Sequence, residues 1–125
     1  MITETSMPAL AAKPTVAALF AKSSPVVRET YDALLDAARE LGPVRVSPKK
    51  TSIHLEQHTA FAGVATRKDA LVLTLKASAR AKSPRIHKAE QASANRWHLE
   101  VRLASPAQVD PELRKWLAEA YQLAS

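Results

Sequence analysis

The chain has no cysteine, and its 125 residues include only two glycines, two tryptophans, two tyrosines and two phenylalanines. Without cysteine there is no disulfide, no thiolate zinc site and no cysteine nucleophile, and an oxidising compartment is not needed. Gly42 and Gly63 are too few for a phosphate-cradling glycine loop, a dinucleotide fingerprint or a nucleophile elbow. Apolar runs are short and broken by Lys13, Pro14 or acidic residues. They give no membrane span and no signal-peptide core, so a soluble protein of the reducing cytoplasm is expected.

Positive charge is what the chain does have, 18 Lys and Arg against 12 Asp and Glu, a net +6 with histidine neutral. Residues 1–42 carry four basic against five acidic side chains, and residues 104–125 carry two against three, so each flank is −1. The middle, 43–103, carries twelve against four, or +8. Charge concentrated in this way favours an anionic partner, although a solvated sheet face also needs charge.

Residues 1–13 read as a flexible tail and 14–125 as one domain, long enough to bury a single core. A short helix is expected over Thr15–Lys22 with Val16, Leu19 and Phe20 inward. Ser24 as N-cap, Pro25 at the first helical position and Gly42-Pro43 as stop frame a longer helix. Val27, Tyr31, Leu34, Leu35, Ala38 and Leu41 form its apolar stripe, opposite a solvated face of Glu29, Asp32, Asp36 and Glu40. Val44–Pro48 is partly extended, and then the period becomes two. Ile53 and Leu55, the run Phe61–Ala65, the set Leu71, Leu73 and Leu75, and the set Trp97, Leu99, Val101 and Leu103 each mark a strand. Asp110-Pro111 opens a last helix with Leu113, Trp116, Leu117, Ala120 and Tyr121 on its apolar side. The class is α+β: an antiparallel sheet of four to five strands, with the N- and C-terminal helices on one face. The stretch Ala77–Asn95 reads as an irregular loop, either functional or disordered.

Several residue types invite a site. His54 and His58 have helical metal spacing, but on a strand they stand roughly 13 Å apart, so no metal and no cofactor is expected. His98 lies on the outer face of its strand with Glu100 two residues on, and suitable pairing would bring His54 and Glu56 to the same face. A histidine beside a carboxylate can serve as general base, which makes a small hydrolase-like enzyme the alternative reading. The primary reading is a non-catalytic binding or accessory domain whose anion-binding residues are Lys49, Lys50, Arg80, Lys82, Arg85, Lys88, Arg96 and His98. The partner would be a nucleic-acid backbone, an acidic protein or a small anion. Because the aromatic residues fall on core stripes, no base-stacking platform is expected. The oligomeric state, monomer or a homodimer through a sheet edge, stays open.

From about Leu19 to Ala124 the chain resembles the domain of unknown function 5655 family, small domains of bacteria. The resemblance rests on the order Leu41-Gly42-Pro43, Lys49-Lys50-Thr51-Ser52-Ile53, Phe61-Ala62-Gly63-Val64, Leu71-Val72-Leu73, Ser83-Pro84-Arg85, Arg96-Trp97-His98 and Trp116-Leu117-Ala118-Glu119-Ala120-Tyr121. It implies a compact α+β domain and supplies no activity, cofactor or substrate. Lys50, Arg85 and His98 match the recurring polar positions; the structural reading has Lys50 and Arg85 pairing across strands and His98 capping a loop, and the functional reading is an anion site at the open face of the sheet.

Overall fold

Two prolines set where the longer helices begin. The computed structural model describes residues 14–124, so the tail 1–13 and Ser125 lie outside the described residues. A four-residue helix α1 (Val16–Leu19) is capped by the Thr15 hydroxyl, which accepts from the Ala18 N–H. Helix α2 (Pro25–Arg39) follows and helix α3 (Pro111–Leu123) closes the fold, each with proline in its first turn, where a missing N–H costs nothing. Asp110 caps α3 by accepting the Leu113 N–H, whereas Ser24 caps α2 through backbone geometry alone. Val27, Thr30, Tyr31 and Leu34 line the buried side of α2, and the Thr30 hydroxyl is satisfied by donating to the Val26 carbonyl. Leu41, expected on that stripe, lies past the helix end and is 39% exposed.

The sheet has six strands, β1 (Arg45–Pro48), β2 (Ile53–Glu56), β3 (Ala60–Thr66), β4 (Leu71–Ala77), β5 (Ile86–Ser93) and β6 (Arg96–Leu103). Their order is β1-β2-β3-β4-β6-β5, with every neighbouring pair antiparallel. Six is one more than the four to five expected, and two of the strands lie outside the four that alternation marks. The partly extended Val44–Pro48 contains β1, and β5 occupies much of the stretch read as irregular. Both are edge strands, and β5 is exposed along nearly all its length, so it lacks the alternation that burial of one face imposes on sequence.

Helices cover one face only. Ile53, Leu55, Val64, Leu71, Leu73, Leu75, Leu99, Val101 and Leu103 point into it and are buried, each contributing about 1.5–3 kcal/mol of transfer free energy. A bulge where β2 meets β3 leaves Phe61 between the pairs Leu55–Ala62 and Glu56–Ala60. Phe61 turns inward there, its ring 5.2 Å from that of Tyr121 and edge-on to it. Trp97 belongs to the same row as Ala77 and Gln91 but stays half-buried rather than joining the core.

Strands β4 and β5 flank β6, so they run parallel, and residues 78–85 cross from one to the other. The crossing segment passes on the helical side, where Ala77–Ala81 line a cavity with Leu99, Trp116 and Glu119.

Candidate functional site

Sheet pairing decides which side chains share the face that no helix covers. One cross-strand row runs Ser47, His54, Gly63, Thr74, Glu100, Lys88, and another runs Lys76, His98, Glu90. His54, Glu56, His98 and Glu100 therefore do lie on one face. They do not converge. Strands β2 and β6 are three spacings apart, about 14 Å, and Glu100 stands roughly 7 Å along the strand from His98. Glu56 accepts from Arg45 at 3.2 Å. Glu100 lies 3.1 Å from His87 Nε2, a pair the periodicity gave no sign of because β5 was not visible as a strand. Among the described residues His98 has no hydrogen-bonded carboxylate, and no group of three or more His, Asp or Glu is arranged to hold a metal ion.

The eight cationic candidates divide among five places. Lys49 and Lys50 sit at the turn between β1 and β2, where the Lys49 N–H donates to the Ser52 carbonyl. Arg96 starts β6 and donates to the Asn95 carbonyl at 2.9 Å. His98 borders a depression on the open face together with Lys76.

Arg80, Lys82 and Lys88 come together. With Ser83, Ile86 and His87 they line a recess of about 340 Å³ between the crossing segment and β5, and among the described residues no carboxylate lines it. Among the described residues none of these three cations has an ion-pair partner.

Arg85 is turned the other way. One guanidinium nitrogen reaches both carboxylate oxygens of Asp110, at 2.7 and 2.9 Å, and Glu112 at 3.3 Å; the other donates to the Gln108 carbonyl at 2.7 Å. The group also lies 5.9 Å from the centre of the Trp116 ring. Its charge is compensated and it ties the crossing segment to the start of α3, so it is a clamp rather than a free anion contact. Arg85 precedes β5 on the helical side of the sheet, whereas Lys50 lies at the turn between β1 and β2. The Leu113 backbone N–H, and after it the Arg85 guanidinium, hold the Asp110 carboxyl below its ordinary pKa.

No helix among the described residues is long and apolar enough to cross a membrane. No curated protein and no solved structure matches the chain. A family model described as a domain of unknown function does match, over residues 16–124, which takes in all six strands, the crossing segment with its clamp, and the recess. On that span the chain belongs to the DUF5655 family.

Proposed function

We propose that this is a non-catalytic binding domain that holds phosphate groups of a nucleic-acid backbone in the recess of Arg80, Lys82 and Lys88. The observation that carries the reading is three unpaired cations around one recess without a carboxylate. Each is free to trade a counterion for a phosphate, and the exposed His87 ring stands beside them. The contact is short, about three phosphates, one for each cation that lines the recess. Such contacts carry no base information, so binding tolerates any sequence.

The cysteine-free composition fits work in a reducing cytoplasm. A monomer is the binding unit in this reading. Edge strand β5 has register shifts near both ends and the charged pair Lys88 and Glu90 in its middle, and β1 ends in Pro48, features that blunt sheet edges against pairing.

Fluorescence anisotropy with labelled random duplex and single-stranded DNA and RNA tests the proposal. Three neutralised phosphates give a duplex affinity that falls about 40-fold between 50 and 200 mM salt. Changing Arg80, Lys82 and Lys88 together to alanine is expected to abolish binding, while Lys49→Ala with Lys50→Ala leaves most of it. Absence of binding at low salt, or equal loss in the two variants, overturns the reading.

A further inference from the structure

The uncovered face holds a second recess that the phosphate contact does not use. It is a depression of about 340 Å³ over β2, β3, β4 and β6, and its lining includes His54, Gly63, Ala65, Thr74, Lys76 and His98. That volume falls within the range of small-molecule sites. Among the described residues the three α-helices lie on the opposite face and none covers it.

Its floor is formed by Gly63 and Ala65 in an interior strand. Glycine weakens a strand interior, and a glycine there often marks close approach by another group. Gly63 has no positive φ, and a β-carbon built on it would meet no atom within 4 Å. Neither backbone conformation nor packing among the described residues requires glycine at this position. What glycine does supply is a shallow surface of backbone and methyl carbon on which a flat apolar body can lie.

The rim carries one sign of charge. Lys76 is its cation, and the Lys76 ammonium is steadied by donating to the Thr59 hydroxyl at 3.0 Å. His98 stands opposite Lys76 in the ladder, and His54 and Thr74 add polar groups on the same face. Among the described residues no carboxylate lines the depression. Of the acids on that face, Glu56 is engaged by Arg45 and Glu100 by His87, while Glu90 stands beside His98 in the ladder on the exposed edge strand, with His98 between it and Lys76.

We infer that this depression binds a small organic anion with a planar apolar body. The body rests on Gly63 and Ala65, and a carboxylate or phosphate head faces Lys76 and His98. The inference is independent of the nucleic-acid reading, since it shares none of Arg80, Lys82 or Lys88.

The test is ¹H–¹⁵N NMR titration of the full chain with 2-naphthoate and with adenosine 5′-monophosphate, using 2-naphthol and adenosine as uncharged counterparts. The two anions distinguish a carboxylate from a phosphate head. At least one anion is expected to move the Gly63, Thr74 and His98 amides saturably, at least tenfold more tightly than its neutral counterpart. Gly63→Val fills the floor, suits a strand, and is expected to weaken binding at least tenfold with the thermal midpoint unchanged or raised. Should that variant fold poorly, Lys76→Gln keeps the floor and is expected to remove the preference for the anion. The alanine triple variant of the phosphate recess should bind the anion as the parent does. Failure of both anions at millimolar concentration, equal binding by charged and neutral probes, or full binding by a folded Gly63→Val overturns the inference and leaves the nucleic-acid test unaffected.

Discussion

Replacing Arg85 with alanine removes four hydrogen bonds at once, three to the carboxylates of Asp110 and Glu112 and one to the Gln108 carbonyl. A hydrogen bond to a charged group contributes about 1.5–3 kcal/mol when buried. The Arg85 side chain is only 22% exposed, but its acidic partners are 40% and 47% exposed, so water screens much of what they contribute. Counting the carbonyl bond and the nearest carboxylate bond at reduced strength, and the rest as surface contacts, gives a loss of about 2 kcal/mol. For a domain of this size that lowers the thermal midpoint by roughly 8 °C. Arg85→Lys keeps a charge without the fork of donors and should lose about half as much. The sign of the pH dependence follows from Asp110. Its carboxyl is held below its ordinary pKa, so it adds stability above that ordinary value and loses it as pH falls through the folded one. The gap between wild type and Arg85→Ala should therefore narrow as pH drops below about 4. Because Arg85 anchors the crossing segment that carries Arg80 and Lys82, the alanine variant should also bind nucleic acid several-fold more weakly at pH 7. Calorimetric scans at pH 7 and pH 3 decide the matter: a midpoint within 2 °C of wild type at pH 7, or a gap that does not shrink in acid, refutes the argument.

Two further substitutions probe the core. Gly42 has φ +146°, and a β-carbon there would lie 2.5 Å from the Tyr121 hydroxyl, which is fixed by donating to the Pro43 carbonyl at 2.9 Å. Gly42→Ala combines backbone strain with overpacking and should cost about 3 kcal/mol in urea denaturation; a loss below about 1 kcal/mol contradicts the reading. Tyr31 buries a hydroxyl that has no hydrogen-bond partner among the described residues, so Tyr31→Phe should be neutral or stabilising by up to about 1 kcal/mol at pH 7. Burial raises the Tyr31 pKa, so its contribution is intact below about 10 and is lost as pH rises through the folded value; the phenylalanine variant should gain relative stability under alkali.

How much of this fold shows in the sequence depends on burial. Strand β4 is covered on one face by α3, and Leu71, Leu73 and Leu75 alternate with Val72, Thr74 and Lys76 because the core demands it. Helices α2 and α3 are legible for the same reason, and their Pro25 and Pro111 starts mark the ends as well. Strand β5 has no such obligation. Its side chains are mostly wet on both faces, so Ile86–Ser93 has the composition of a loop while its backbone is held by hydrogen bonds to β6. Trp97 shows the converse error: alternation put it on the core side, but that face is not fully covered at the start of β6. Period two reports direction along a strand and says nothing about whether a helix reaches that far.

The candidate sites were less legible because charge in sequence is one-dimensional. Arg85 and Lys88 are three residues apart and look alike, yet one is compensated by Asp110, Glu112 and the Gln108 carbonyl and the other borders an anion-free recess. The difference comes from the β4-to-β5 crossing, which takes residues 78–85 over the helical side of β6 before the chain joins the sheet edge. Arg85 reaches the start of α3 just where Asp110 needs a counter-charge for its capping carboxylate. Lys88 is already in the sheet, paired in register with Glu100, while that carboxylate is occupied by His87. Lys88 has no ion-pair partner among the described residues, and it lines the same recess as Arg80 and Lys82. A neutral substitution at Arg85 should thus register first as lost stability and one at Lys88 first as lost affinity, a division that follows from topology and that residue type alone cannot supply.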